Sequence, residues 1–244
     1  MMERAPEQAD RDGFVPLVSR REELKALAAA FCGRASRLVS GPAGIGKTRL
    51  IDEALAMSRQ PAVRARRPAA LHDLLVQLAE GLSCPVGRFR DAAHATSSAL
   101  KPAVLNALRL SPRCVVLDDV SGADPRMYRF LQQVYYLPGS CLTAGARSRE
   151  SLGHLRKLLW DPREEIAMKP LKRAEAGTLF EAACAAWRLD SLEIDEFRGK
   201  VLAAAQGNPG QILAMCRLAA RPEYQSGRHI KFLPLRIDVL TAFV

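Results

Sequence analysis

The 244-residue chain has no run of 18 uncharged apolar residues, which excludes a membrane-spanning helix. Its opening residues, MMERAPEQADRDG, lack the apolar segment of a secretion signal, so a cytoplasmic location is expected. The six cysteines (Cys32, Cys84, Cys114, Cys141, Cys184 and Cys216) form no C-x-x-C pair. That excludes a disulfide- or zinc-framed miniprotein and suits reduced thiols. His72, His94, His154 and His229 have no mutual metal-ligand spacing, so no metal is expected beyond one carried by a nucleotide. Internal repeats and low-complexity stretches are also missing.

What is present fits one large domain, or a core domain with a small appendage. Hydrophobic residues make up 48% and charged residues 25%, enough to bury a substantial core and too balanced for a disordered chain. The net charge is +10, and arginine supplies 28 of the 36 basic residues. A surplus of that size favours a polyanionic partner, whether nucleotide phosphate, nucleic acid or an acidic lipid surface. It also serves plain solubility, because the arginines are spread along the chain. Their nearest approach to a cluster is Arg64, Arg66 and Arg67.

Residues 1–14 read as a flexible tail. Helical periodicity starts at Arg20 and runs to Cys32, with Ser19 as N-cap and Glu22 at the capping-box spacing. Residues 37–40 read as a strand, 47–58 as a helix, 61–64 as a strand, and 69–82 and 98–109 as helices. Cys114-Val-Val-Leu117 has the continuous apolar character of a strand buried on both faces. Asp124 and Pro125 read as N-cap and first turn of a helix that Pro138-Gly139 closes. A strand at 141–144, a helix at 149–159 and a strand at 165–168 follow. From Ala174 onward only helical patterns are read, broken at Gly207-Asn-Pro-Gly210. Strands alternating with helices up to residue 170 imply a parallel sheet, and the rest implies a small helical domain.

The strongest chemical signal is Gly41-Pro-Ala-Gly-Ile-Gly-Lys-Thr48, between a predicted strand and a predicted helix. It satisfies G-x-x-x-x-G-K-[ST], the pattern of a phosphate-binding loop. Glycines let the backbone coil with its N–H groups inward at a helix N-terminus, forming an anion nest. Gly41, Ala43, Gly44, Ile45, Gly46, Lys47, Thr48 and Arg49 are therefore placed at the nucleotide. Lys47 adds charge at the β- and γ-phosphates, and the Thr48 hydroxyl is a ligand for Mg²⁺. Seventy residues beyond Thr48, a strand ends in Asp118-Asp119, at the sheet edge where ligands sit in open α/β folds. Asp118 is expected to hold Mg²⁺. Asp119 is expected to polarise the attacking water as general base. Two adjacent buried carboxylates repel unless a cation lies nearby.

The segments GPAGIGKTRL, LDDVSGADPRMYRFL and GNPGQI together resemble the P-loop ATPases of the STAND class and their AAA+ relatives of the origin-recognition type. Leu17-Val-Ser-Arg-Arg-Glu-Glu-Leu24 is similar to the V-G-R-E-x-E-L box ahead of the first strand in that family, with Ser19 in place of the glycine and Arg21 in place of an acidic residue. The resemblance implies a parallel five-stranded sheet in the order 5-1-4-3-2, with a core at residues 15–170 and a helical lid at 171–222. Residues 223–244, where apolar residues and arginines mix, read either as a last strand or helix packed on the lid or as a C-terminal docking segment for another subunit or partner. The resemblance places Arg20 and Pro209 at the nucleotide, Pro209 packing on adenine. It makes Arg147 the arginine sensor of the γ-phosphate, with Thr143 as the AAA+ alternative. Arg156 and Arg163 are the candidates for a finger acting on a neighbouring subunit. No N/T-K-x-D motif follows, which favours ATP over GTP.

The implied activity is a slow Mg²⁺-dependent ATP hydrolase, acting as a switch or assembly ATPase that exchanges ATP and ADP. Its expected partners are further copies of itself or separately encoded proteins. About 35 residues follow Gly210, fewer than a winged helix with a sensor region needs, so a minimal ATPase and the core of a longer design both fit. The competing expectation is a nucleic-acid-associated AAA+ ATPase regulating transposition or replication, with DNA as partner. A metabolic P-loop kinase is disfavoured, because no segment reads as a small-substrate pocket.

Overall fold

A computed structural model describes residues 15, 17–85 and 91–242. Residues 1–14, read above as a tail, lie outside the described residues. The chain divides into two compact units, one spanning Arg20–Lys169 and the other comprising the described residues of 170–242 with those of 15–19.

The first unit opens with α1 (Arg21–Cys32), β1 (Arg37–Ser40), α2 (Lys47–Ser58), β2 (Ala62–Arg66) and α3 (Leu71–Gly81). It continues with α4 (Ser97–Leu110), β3 (Cys114–Asp118), α5 (Pro125–Tyr135), β4 (Cys141–Ala146) and β5 (Glu165–Ala167). All five strands run parallel in the order β2-β3-β4-β1-β5, the order implied by the family resemblance read in reverse. Every residue of β3 and β4 is buried, as apolar central strands covered by helices require. Leu38, Val63, Val115, Leu117, Leu142 and Ala144 form one core with Leu74, Leu78, Val104, Leu108, Phe130 and Leu131 of α3, α4 and α5. On the opposite face lies α2, which packs against α1. A Cβ on Gly145 would stand 3.6 Å from Ile51 Cδ1.

Several local expectations are corrected by tertiary contacts. Ser19 has φ +55° and does not cap α1; Arg20 occupies the N-cap, and its carbonyl accepts from Leu24 N at 2.8 Å. Strand β2 extends to Arg66 because it pairs along its whole length with β3, in register from Ala62–Cys114 to Arg66–Asp118. Strand β4 likewise runs on to Ala146 against Ser40 of β1. Helix α5 ends at Tyr135, before Pro138-Gly139.

The helix expected at 149–159 is absent; two short 3₁₀ turns, Glu150–Leu152 and His154–Lys157, stand in its place. Gly153 separates them at φ +60°, where a Cβ would come within 2.8 Å of Ala123 N and O. That close approach is a bridge to the loop ahead of α5, and His154 N donates to Ala123 O at 3.0 Å. A continuous helix could not make it.

The second unit packs α6 (Arg173–Trp187), α7 (Ile194–Ala205), α8 (Pro209–Ala219) and α9 (Phe232–Ala242) around Leu179, Phe180, Phe197, Val201, Ile212 and Met215. The expectation of helices alone fails at a two-residue antiparallel hairpin, β6 (Gln225–Ser226) with β7 (His229–Ile230). Leu235 and Val239 of α9 are buried in the same core as α6 and α8, the packing that one of the two readings of the C-terminal residues expects.

Candidate nucleotide-binding site

Strand order brings the key segments together. β4 lies between β1 and β3, so the loop after β1 and the carboxylates ending β3 flank one strand end. Ligands sit at such switch points in open parallel sheets. The loop leaves β1 at Gly41, whose φ of +151° and close approach to Met168 suit glycine: a Cβ there would lie 2.9 Å from Met168 O. Gly41 N donates to Ala146 O and Arg147 O, both at 3.2 Å, tying the loop to the end of β4. Helix α2 then starts at Lys47 and presents its N-terminus to the loop.

Lys47 is 7% exposed, and its Nζ donates to Gly41 O at 2.8 Å and Pro42 O at 3.0 Å. Burial lowers the pKa of its ammonium group from the ordinary lysine value; Asp119 and Asp118 oppose that shift, and Arg147 adds to it. Thr48 Oγ1 donates to Asp118 Oδ1 at 2.9 Å, joining residues 70 positions apart in sequence. Asp118 is 5% exposed. A hydroxyl and a carboxylate side by side form the hard oxygen set that Mg²⁺ takes alongside phosphate oxygens, so the residues present fit the ion.

A lysine with a lowered pKa sheds its proton earlier as pH rises, and phosphate contact raises that pKa again. Below the lowered pKa the group is cationic in both states, so binding moves no proton. Between the lowered pKa and the raised one, binding takes up protons. ATP affinity is therefore expected to fall as pH rises through this window. Calorimetry in buffers of different ionisation heat should show proton uptake that grows as pH rises into it.

Asp119 departs from the expectation of a buried pair. It has φ +54°, its side chain is 39% exposed, and its Oδ2 accepts from Arg67 Nε at 2.8 Å. The chain turns sharply after β3, which carries Asp119 out of the sheet. Arg67 is anchored by its own N–H, which donates to Asp118 O at 2.8 Å. Arg64 forms an ion pair with Asp52 of α2, and its Nη1 stands 4.0 Å from Asp118 Oδ2. Arg64 and Arg67, legible in the sequence only as part of a loose arginine cluster, thus flank the two carboxylates.

Arg147 is exposed just past β4 and close enough to Lys47 to affect its charge. Thr143 is fully buried and pairs with Arg37, at the opposite end of β1 from the loop; its hydroxyl has no hydrogen-bond partner. Ile45 is buried, leaving only its backbone for a ligand. Arg49 is ion-paired with Glu53 at 3.7 Å. Arg20 is buried and bonds Glu23 and the Lys169 carbonyl, bracing the start of α1 against the chain after β5. In the second unit, Pro209 is the first residue of α8, and Asn208 Oδ1 caps that helix by accepting from Gly210 N at 3.0 Å and Gln211 N at 3.3 Å.

A brace beneath the loop went unread in the sequence. Ser40 Oγ donates to Glu165 Oε1, which ties the end of β1 to β5. Arg149 Nη2 donates to Glu165 Oε2 at 2.7 Å, and Met168 N donates to Ser40 O at 2.8 Å. No spacing rule links these residues, because parallel pairing alone makes them neighbours.

The fold is that of the Orc1 protein of Aeropyrum pernix, solved in complex with DNA, at 14% identity and TM-score 0.65, over 96% of this chain and 68% of that one. It is also that of Cdc6p from Pyrobaculum aerophilum, at 16% identity and TM-score 0.68, over 89% of this chain and 66% of that one. A signal transduction ATPase with numerous domains and a tetratricopeptide repeat sensor, from Pyrococcus horikoshii, matches at 18% identity and TM-score 0.52, over 97% of this chain and 34% of that one. This chain thus spans about two thirds of the first two proteins and about one third of the last. No curated protein matches the sequence. The model of the AAA ATPase domain (AAA_16) matches residues 16–140, about half of the chain, and with the phosphate loop and Asp118 in place the protein belongs to that family of ATP-binding P-loop ATPases.

Proposed function

We propose that the protein binds Mg·ATP and hydrolyses it slowly, as a switch or assembly ATPase whose nucleotide state governs association with further copies or with separately encoded partners. The observation that carries this reading is the Thr48–Asp118 contact beside buried Lys47: a hard-cation site and a phosphate cation at one helix N-terminus. Thr48 and Asp118 would hold Mg²⁺, which supplies charge neutralisation at the β- and γ-phosphates when bound. Lys47 would exchange its carbonyl bonds for charge-assisted bonds to phosphate. Arg147 would read the γ-phosphate, Asp119 would take the proton of the attacking water, and Arg20 and Pro209 would serve the nucleoside side.

Calorimetry with Mg²⁺ and ATP, ADP or a non-hydrolysable analogue tests binding. Light scattering on the same samples tests assembly. Absence of heat with every adenine nucleotide overturns the reading, and a constant mass in all states removes self-assembly from it.

Arg67 Nε holds Asp119 Oδ2, so release of Arg67 would free the whole carboxylate for the base role. Arg67 is 82% exposed, and such a pair holds weakly. Arg67→Ala is expected to raise steady-state phosphate release by no more than about fivefold, about 1 kcal/mol, with ATP affinity unchanged. A malachite-green assay measures it, and a fall in turnover would instead make Arg67 a contributor to catalysis.

Nucleic-acid association is the second reading, favoured by the +10 charge and by the likeness to an Orc1 protein solved with DNA. It predicts DNA binding at low salt in the presence of ATP, lost steeply as salt rises. Fluorescence anisotropy that stays flat at low salt would exclude it.

A further inference from the structure

Outside the nucleotide site, four of the six thiols lie in two buried pairs. Cys114 opens β3 and Cys141 opens β4; the two are register partners in adjacent parallel strands, and both are fully buried. The Cys141 thiol donates to Cys114 Sγ at 3.2 Å. From the turn after α1, Arg34 Nη1 reaches within 3.6 Å of the same sulfur. Register partners on neighbouring strands point their side chains to one face, at a spacing that a disulfide can span.

The electrostatics separate the two sulfurs. The bond from Cys141 pulls the Cys114 pKa down to about 7 against the effect of burial, and Arg34 adds to the pull. Cys141, as donor, is pushed up. Cys114, the acceptor sulfur faced by Arg34, is thus the sulfur favoured to ionise, and Cys141 is the resolving thiol. In the second pair, Cys216 also lowers Cys184, but Asp190 and Glu181 oppose a thiolate there more than Arg198 supports it.

We propose that Cys114 and Cys141 form a reversible oxidation site, a dithiol that a small hydroperoxide converts into a disulfide joining β3 to β4, with Arg34 as its positioning cation. The Cys114 thiolate attacks one peroxide oxygen; the O–O bond breaks, hydroxide leaves, and Cys114 becomes a sulfenic acid. Cys141 then loses its proton and attacks the Cys114 sulfur. The S–O bond breaks, and the departing hydroxide takes that proton as water. In sum, two thiols and one peroxide give one disulfide and two waters. Hydrogen peroxide is small enough to enter through local opening at the strand starts, whereas a bulky disulfide is not. The site is at the strand starts, four residues from Asp118, so nucleotide affinity should not change.

The test uses the full chain, fully reduced, exposed to hydrogen peroxide, then denatured and blocked with N-ethylmaleimide for peptide mapping. The expected product is a Cys114–Cys141 cross-linked peptide that forms before any Cys184–Cys216 link and is reversed by dithiothreitol. The oxidised chain should melt about 5 °C or more above the reduced one, because the bond closes a loop in the unfolded state. Arg34→Gln should slow cross-linking by about fivefold, and Arg34→Lys should restore most of the rate. Maleimide on both Cys114 and Cys141 after Cys32 has been consumed would overturn the proposal. So would prior linkage of Cys184 to Cys216, or equal rates in the Arg34→Gln chain.

Discussion

Replacing Lys47 with alanine is expected to lower the affinity for Mg·ATP by about two to three orders of magnitude, roughly 3–4 kcal/mol. The effect is large because the side chain is buried at the loop, where a charge-assisted contact to phosphate is weakly screened. Truncation removes the charge-assisted contact to phosphate. The ammonium is already disfavoured by burial, so a phosphate that pairs with it relieves a cost that alanine does not carry. Calorimetry on the folded variant, with circular dichroism matching the wild type, measures the loss. A variant that binds ATP as tightly as the parent would show that the loop does not use this lysine.

Asp119→Asn is expected to bind ATP within a few-fold of the wild type and to hydrolyse it about 10²–10³ times more slowly. Asn has nearly the same shape, but it cannot accept a proton from water. It also forfeits the charge partner of Arg67, which is exposed and worth little, so stability should hold. Single-turnover phosphate release with saturating Mg·ATP separates the chemical step from binding and product release. Normal turnover would remove Asp119 from the base role. It would turn attention to a water positioned by groups around Arg147 and the Thr48–Asp118 pair.

The two variants probe different parts of the site, and the sequence exposes them unequally. The phosphate loop is local: eight consecutive residues, with a strand before and a helix after, specify both the turn and its chemistry. Asp118 is legible because an apolar run ending in aspartate has one natural place in a parallel sheet. Asp119 is the weaker inference. Its neighbour in sequence is buried, yet its own backbone turns to φ +54° and carries the side chain to solvent and to Arg67. Only the pairing of β2 with β3, which sets Arg66 beside Asp118, brings that arginine within reach.

The alternation of strands and helices, the anion nest and the apolar central strands are legible in the chain alone, because each depends on residues within one turn or one pleat of each other. Everything else waits for the assembled sheet. Parallel pairing around β4 sets Thr48 against Asp118 and Arg64 against Asp52, and joins the Ser40–Glu165–Arg149 brace across more than a hundred residues of chain. It broke the helix expected at 149–159, because the bridge from Gly153 to Ala123 needs a left-handed residue in mid-segment. It also set Cys114 beside Cys141, since register is a property of the assembled sheet and no single strand carries it.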